Sequence, residues 1–329
     1  MDKIIPARRT EKITYAIRDL VVVAKKIEKQ GKKILYLNIG DPLKFDFHTP
    51  EHMFETIAKN NLKSQCYSDS LGTDEARQVL AKEAARKKIK NILPEDVLVF
   101  NGGSEALTQA ITALVNPGEN ILTPCPGYPM FQALVEYSEG IQNPYQLDEE
   151  NDWQPDLDDI RNNINEKTKG IIVINPNNPT GSVYNKKTLK ELINIAAENN
   201  LLIFADETYD QLLFDKEEHI AMASLTDEIP IVTSGSLSKN YLCPGWRIGW
   251  LFFSGRKELI ADYKEAISKL SRARLCPIHP QQFAIKAAFE GPQEHLKDTV
   301  KRMQERRDIT FKRMNEIEGL SCVKPKGAF

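Results

Sequence analysis

One lysine of this 329-residue sequence stands among residue types that can bind a phosphate and form an imine. Lys239 ends the stretch Ser236-Leu-Ser-Lys, directly after a continuously apolar segment, and Arg247 follows eight residues later. A lysine among apolar strands loses its proton more readily, and the neutral amine forms an imine with an aldehyde. An arginine binds a phosphate through two parallel hydrogen bonds. Read singly, Lys239 is also compatible with a surface charge and Arg247 with a structural ion pair.

Two loops rich in turn-forming residues add hydrogen-bond donors. Gly102, Gly103 and Ser104 form a glycine-rich turn that opens a predicted helix, where free N–H groups and the helix dipole favour a phosphate. The same turn is also compatible with a plain connection. Prolines and a glycine stiffen the loop 175–181, which leaves the Asn178 side chain able to donate a hydrogen bond.

A carboxylate and two phenols complete the set. Asp206 ends an apolar run, and a buried carboxylate requires a cation or hydrogen-bond donors as its partner. A protonated pyridine nitrogen and the N–H groups at a helix N-terminus are both possible partners. Tyr209 follows three residues later, and Tyr128 lies between two prolines, as a ring for a flat heterocycle or as a packed loop residue. These residues together offer a binding partner to each of four chemical groups: a phosphate, a pyridine nitrogen, a phenolic oxygen and an aldehyde. Pyridoxal phosphate carries all four groups.

The elements that must position these residues are short apolar strands alternating with helices. Such strands are predicted at 97–100, 121–124, 170–175, 201–206, 230–236 and 247–253. Continuously apolar runs are typical of strands buried on both faces, and helical patterns separate several of them. The sequence therefore predicts an α/β fold with a mostly parallel sheet and helices on both faces. Residues with chemical roles are then expected past the carboxyl ends of the strands.

Three regions are predicted along the chain. Residues 1–45 are expected to form an N-terminal arm and part of a small domain, and residues 46–290 the large cofactor-binding domain. A long charged helix begins near residue 290. Residues 291–329 are expected to form the C-terminal, incomplete part of the smaller α+β domain.

Composition argues against several classes of partner. The 44 Lys and Arg residues nearly balance the 46 Asp and Glu residues, for a formal net charge of −2, so no nucleic-acid partner is expected. No apolar run approaches the roughly 18 residues of a membrane span, so no membrane partner is expected. The five cysteines are scattered and lack metal-ligand spacing, which predicts no metal site and a cytoplasmic protein with reduced thiols.

Over nearly all of its length the sequence resembles the fold type I, class I/II pyridoxal-phosphate-dependent aminotransferases. It is most similar to the archaeal alanine aminotransferase type. The motifs that carry the resemblance lie at 37–42, 67–72, 102–107, 126–129, 175–181, 206–209, 236–239 and 245–247. The resemblance implies transfer of an amino group between an L-amino acid, with alanine expected, and a 2-oxo acid, with 2-oxoglutarate expected. An aspartate or aromatic aminotransferase, or a lyase or synthase of the same fold, remains open.

The family's catalytic roles carry over to this sequence by position. The resemblance implies that Lys239 holds the cofactor as a Schiff base and then moves the proton between the substrate α-carbon and the cofactor. Asp206 would pair with the pyridinium nitrogen, and Tyr209 and Asn178 would donate to the phenolic oxygen. Tyr128 would stack on the ring.

The resemblance also implies a phosphate site, a substrate site and a homodimer. Tyr67 would reach the cofactor from the partner subunit. Gly40 and Asn178 would line the site for the substrate. The residues expected to hold the phosphate are Gly103, Ser104, Ser236 and Arg247.

The sequence departs from the family at its C-terminal end. Relatives use an arginine beyond a Gly-Ala-Phe motif to grip the substrate α-carboxylate, and this sequence ends at Phe329. A chain ending there is expected to bind the cofactor and to turn over amino acids poorly, unless Arg272 or Arg274 takes that role.

Two other functional classes fit less well. Ser236-Leu-Ser-Lys239 matches the S-x-x-K of serine acyl-enzymes, but neither S-D-N nor K-T-G follows it. A cofactor-responsive transcription factor would need a DNA-binding domain before Leu37, and the preceding residues are too few for a winged helix.

Overall fold

An eight-stranded mixed sheet forms the centre of the fold in the computed structural model, which describes residues 3–38 and 40–328. In chain order the strands are β1 (Val97–Asn101), β2 (Asn120–Cys125), β3 (Ile141–Asp148), β4 (Gln154–Pro155), β5 (Thr168–Ile174), β6 (Leu202–Asp206), β7 (Ile231–Ser236) and β8 (Ile248–Ser254). They lie side by side in the order β1-β8-β7-β6-β5-β2-β3-β4. The block from β3 to β7 is parallel. Strand β8 runs antiparallel to both β1 and β7, and β4 runs antiparallel to β3.

Helices cover both faces of this sheet. In chain order the α-helices of the fold are α1 (Ala16–Glu28), α2 (Glu51–Asn60), α3 (Asp74–Arg86), α4 (Gly103–Leu114), α5 (Pro129–Tyr137), α6 (Leu157–Asn163), α7 (Lys186–Glu198), α8 (Leu237–Asn240), α9 (Lys257–Arg274), α10 (His279–Glu290) and α11 (Glu294–Asn315). None of the helices within the described residues is long and apolar enough to cross a membrane.

Alternate residues of one strand belong to the two different cores. Val97 and Val99 of β1 pack in the core formed with α3, α7 and α10, whereas Leu98 and Phe100 pack in the core formed with α4 and α5. All four side chains are fully buried. A strand covered on both faces has no polar face, which explains its continuously apolar sequence.

The six predicted strands are confirmed, and the mostly parallel sheet is confirmed with β8 as an antiparallel exception. Two strands were not predicted. In β3 the sequence is Ile-Gln-Asn-Pro-Tyr-Gln-Leu-Asp, in which only Tyr145 and Leu147 are buried. The polar residues and Pro144 made this strand difficult to predict from the sequence. They are tolerated because the strand lies near the edge of the sheet, where one side of its backbone pairs only with β4.

The C-terminal segment returns to the loop that follows β6. Phe214 N–H donates to the Lys326 carbonyl at 2.8 Å, and Ala328 N–H donates to the Leu212 carbonyl at 2.9 Å. The long charged helix predicted near residue 290 is α11, whose Val300 and Met303 pack against the same loop. The division of the chain at residues 45 and 290 stays a prediction. Phe329, the end of the predicted small-domain part, and Ile39, within the motif 37–42, lie outside the described residues.

Candidate active site

The motifs at the ends of the strands surround a single cavity of about 910 Å³. All the site residues that the family resemblance implies, except Tyr67, line it, namely Gly40, Gly103, Ser104, Tyr128, Asn178, Asp206, Tyr209, Ser236, Lys239 and Arg247. Their positions follow from the sheet, because neighbouring strands deliver their following loops to one edge. The cavity is also lined by Tyr15, Ile17 and Arg18, which the sequence did not single out.

Lys239 lies in the short helix α8, immediately after the buried strand β7. Its Nζ donates to the Gly40 carbonyl at 3.4 Å and lies 5.6 Å from the centre of the Tyr209 ring. Burial lowers the pKa of Lys239, and the positive charge of Arg247 adds to this, while Asp41 and Asp206 act in the opposite direction. The net lowering favours the neutral amine that imine formation requires.

Asp206 is the last residue of β6, and its residue surface is only 8% exposed. Three hydrogen bonds reach its Oδ1: from Thr208 N–H at 3.2 Å, from the Thr208 hydroxyl at 2.7 Å and from the Ser234 hydroxyl at 3.1 Å. Within the described residues no hydrogen bond reaches Oδ2. Burial raises the pKa of Asp206 despite those donors.

The surroundings of Asp206 fit a cationic ligand better than a structural role. The residues after it form turns rather than a helix, so the alternative role as a helix N-cap is wrong. A buried carboxylate with one oxygen still able to accept a hydrogen bond is a suitable partner for the protonated nitrogen of a pyridine ring.

Glycines at two positions allow close packing beside the cavity. Gly102 has a φ of 86°, and a methyl group there would collide with the guanidinium of Arg247. A methyl group on Gly249 of β8 would collide with the backbone of Gly102 and Gly103. The first turn of α4 is therefore held open towards the cavity, where its N–H groups and dipole suit a phosphate.

Arg247 and two serines border this turn. Arg247 adopts a left-handed conformation with a φ of 56°, and its guanidinium donates to the Pro244 carbonyl at 2.9 Å and to Ser104 Oγ at 3.5 Å. Ser236 Oγ lies 2.9 Å from the Ile248 carbonyl and accepts from Ser238 N–H at 3.0 Å. One cation, two hydroxyls and the helix N-terminus make a donor set that fits a phosphate.

Two tyrosines line the cavity as neutral phenols. The Asn178 side-chain amide donates to the Tyr209 hydroxyl at 3.4 Å, and the hydroxyl of Tyr128 accepts from that of Tyr15 at 3.0 Å. Burial raises the pKa of Tyr209 well above its ordinary value, and the charge of Asp206 adds to this. Burial likewise raises the pKa of Tyr128. Both phenols therefore keep their protons and remain able to donate hydrogen bonds.

The loop that carries Asn178 is braced from within. The Asn177 side-chain oxygen accepts from Thr180 N–H at 3.2 Å and from the Thr180 hydroxyl at 2.9 Å. Gly181 N–H donates to the Asn177 carbonyl at 2.9 Å. These internal hydrogen bonds support the prediction of a rigid loop at 175–181.

Other predicted residues lie elsewhere. Tyr67 is 79% exposed and does not line the cavity in this chain. Arg272 pairs with Glu265, and Arg274 pairs with Glu105, so neither reaches the cavity as a carboxylate ligand. Among residues 3–38 and 40–328 no group of three or more His, Cys, Asp or Glu side chains could hold a metal ion.

Comparison with known proteins agrees with the geometry. Residues 32–329 match the family described as aminotransferase class I and II. The chain is 40% identical to the glutamate-pyruvate aminotransferase AlaA of Escherichia coli K12, over 100% of this chain and 82% of that protein. It is 39% identical to an alanine aminotransferase of Mycobacterium bovis, over 97% of this chain and 76% of that protein.

A solved structure extends the agreement to three dimensions. An alanine aminotransferase from Pyrococcus furiosus superposes with a TM-score of 0.95 at 45% identity, covering 98% of this chain and 82% of that one. The chain therefore belongs to the class I and II aminotransferases and is a pyridoxal-phosphate-dependent aminotransferase of fold type I.

Proposed function

We propose that this aminotransferase exchanges an amino group between alanine and 2-oxoglutarate, reversibly yielding pyruvate and glutamate. The observation that carries this choice is Arg18, a cation that lines the same cavity as Lys239. Within the described part of the chain Arg18 has no ion pair, so its guanidinium remains able to bind the second carboxylate of a dicarboxylic substrate. Relatives whose names specify glutamate, pyruvate or alanine support the same pair.

Bound pyridoxal phosphate supplies an aldehyde that accepts the amino group and a ring that withdraws electrons from the α-carbon. Lys239 Nζ would hold the cofactor through its aldehyde and would remove and return the proton at the substrate α-carbon. Its lowered pKa suits both tasks. Asp206 Oδ2 would hold the proton on the ring nitrogen of the cofactor, and the ring would then withdraw electrons more strongly.

The remaining residues orient the cofactor and the substrate. Tyr209 and Asn178, which are hydrogen-bonded to each other, would donate to the phenolic oxygen of the cofactor, and Tyr128 would stack on its ring. Gly40 and Asn178 also line the cavity and would contact the substrate. The residues that would hold the phosphate are Gly103, Ser104, Ser236 and Arg247, all of which line the cavity.

Replacement of Arg18 tests the choice of substrate. Arg18→Ala is expected to raise KM for glutamate by about tenfold or more and to leave KM for alanine within about twofold, since only glutamate has a carboxylate to lose that partner. The estimate follows from the roughly 1.5–3 kcal/mol of a hydrogen bond to a charged group. Steady-state kinetics with both amino donors measure it. Lys25→Ala, on the same helix but away from the cavity, is the control; equal KM changes for both donors would contradict the role of Arg18.

We also propose a homodimer in which Tyr67 enters the partner's cofactor site. The support is the exposure of Tyr67 together with that of Leu62, which is 82% exposed five residues earlier. Large side chains of this kind suit a protein interface, and two-fold homodimers are the commonest assemblies. The cytoplasmic location remains a proposal based on the scattered cysteines, all five of which are free thiols. The division of the chain at residues 45 and 290 also remains a proposal, based on the sequence pattern.

Mixing two defective variants tests the shared site. Tyr67→Phe is expected to weaken cofactor binding by about ten- to a hundredfold, through loss of a hydrogen bond to a charged phosphate. In a heterodimer of Tyr67→Phe with Lys239→Ala, one site regains both residues, so one cofactor per dimer should bind with wild-type affinity. Equilibrium dialysis of the mixed dimer measures this. Tyr137→Phe, a partly exposed tyrosine on α5, is the control, and failure of the mixture to restore any site would refute the arrangement.

A further inference from the structure

A buried ion network lies behind the loop that carries Asp206 and Tyr209. Lys87, directly after α3, places its Nζ 2.5 Å from Asp210 Oδ2 and 3.4 Å from Glu207 Oε2. The three side chains are only 9%, 7% and 2% exposed, respectively. Desolvation offsets much of the attraction in a buried ion pair, so stability alone is a weak reason for this arrangement.

The network reaches both halves of the proposed site. Asp210 Oδ1 accepts from the Asn240 side-chain amide at 2.6 Å, and Asn240 is the residue directly after Lys239. On the other side, Glu207 follows Asp206, and its N–H donates to the Ser234 carbonyl at 3.2 Å. A chain of buried contacts therefore joins α8 to the loop that begins at Asp206.

The charges in the network are mutually stabilised. Burial alone would lower the pKa of Lys87, but the carboxylates of Asp210 and Glu207 outweigh it, and Glu83 adds to their effect, so the pKa is raised. Burial would raise the pKa of Asp210, but Lys87 and His219 outweigh it, so that pKa is lowered. Lys87 therefore stays protonated and Asp210 stays ionised at neutral pH.

We propose that Lys87, Asp210 and Asn240 are positioning residues that set the placement of Lys239 relative to Asp206 and Tyr209. The inference rests on the proposed roles of those three residues. Proton transfer from the α-carbon requires Lys239 Nζ to lie within hydrogen-bond reach of the substrate. The loop after β6 would hold the cofactor ring to which that substrate is joined. A misplacement of about 1 Å costs as much as a hundredfold in rate, so a rigid link between the two elements is useful.

Asn240→Ala is the primary test, because it cuts the link to α8 without changing any charge. We expect kcat to fall by about ten- to a hundredfold, KM for the amino donor to stay within about twofold and cofactor affinity to be retained through the phosphate contacts. In the cofactor-free protein, the pH profile of Lys239 modification by an amine-reactive reagent should move to higher pH, because a loosened α8 admits water around the lysine. Lys87→Met should have the same effects with an added loss of thermal stability.

Arg86→Met is the matched control. Arg86 lies beside Lys87 and pairs with the buried carboxylate of Glu83, so its loss also leaves a buried charge unpaired, but it makes no hydrogen bond or salt bridge to the loop after β6 or to Asn240 within the described residues. It should lower the melting temperature and keep the wild-type kcat and Lys239 profile.

Two results would overturn the inference. Folded Asn240→Ala with wild-type kcat and a wild-type Lys239 profile is one, and an equal loss of kcat in Arg86→Met is another. If Lys87→Met does not fold, Asn240→Ala decides by itself. Borohydride labelling of the wild-type holoenzyme separates this test from the proposed function: label on a lysine other than Lys239 refutes the site assignment, whereas label on Lys239 with unchanged variants refutes the network alone.

Discussion

Lys239→Ala is expected to abolish transamination while the cofactor still binds. The phosphate contacts from the turn before α4 and from Arg247 do not involve Lys239, so they remain. Loss of the proton-transfer group alone accounts for about 10²- to 10⁴-fold in rate, and loss of the attachment point adds to it. Single-turnover kinetics with alanine and the visible absorbance of bound cofactor measure the two effects separately.

Borohydride reduction identifies the attachment point directly. Peptide mapping of the reduced wild-type protein should place the cofactor on Lys239, and the Lys239→Ala variant should carry no label. Lys190→Ala, an exposed lysine on α7, is the matched control and should behave as the wild type. Label on another lysine, or substantial turnover by Lys239→Ala, would show that the assignment is wrong.

Asp206→Ala is expected to retain cofactor and to lose about 10²- to 10³-fold in transamination rate, the usual cost of removing one preorganised electrostatic partner. The physical cause is reciprocal: a pyridinium beside Asp206 lowers the pKa of the carboxyl, and the carboxylate raises the pKa of the ring nitrogen, with about 1.4 kcal/mol for each pKa unit. Without the carboxylate the nitrogen loses its proton and the ring withdraws electrons less strongly.

Asp206→Asn separates charge from shape. It keeps the size of the side chain and an oxygen for Thr208 and Ser234, so a loss similar to that of Asp206→Ala would assign the effect to charge. Single-turnover rates with an amino donor provide the measurement. Asp158→Asn, at a site that is 92% exposed on α6, is the control. A near-normal rate in both Asp206 variants would mean that the carboxylate only braces its own turn.

Most of the sheet and most of the site residues were predictable from short stretches of sequence. A strand covered on both faces must be apolar throughout, so β6 and β7 were evident, and the polar residues that follow them had to lie at one edge of the sheet. Strand β3 was not predicted because it is half exposed and therefore not continuously apolar. The antiparallel direction of β8 was not predicted because an apolar run does not show which way a strand runs in the sheet.

Only the tertiary structure could bring in residues that are remote in the chain and carry no local signal. Tyr15 bonds Tyr128 across 113 residues, and Lys87 meets Glu207 across 120 residues. In the sequence Lys87 looks like an ordinary surface lysine at the end of a helix. Nothing near it in the sequence indicates that it is buried between two carboxylates. Sequence patterns report the hydrogen bonding and burial of a segment, whereas the pairing of distant side chains depends on how whole elements pack.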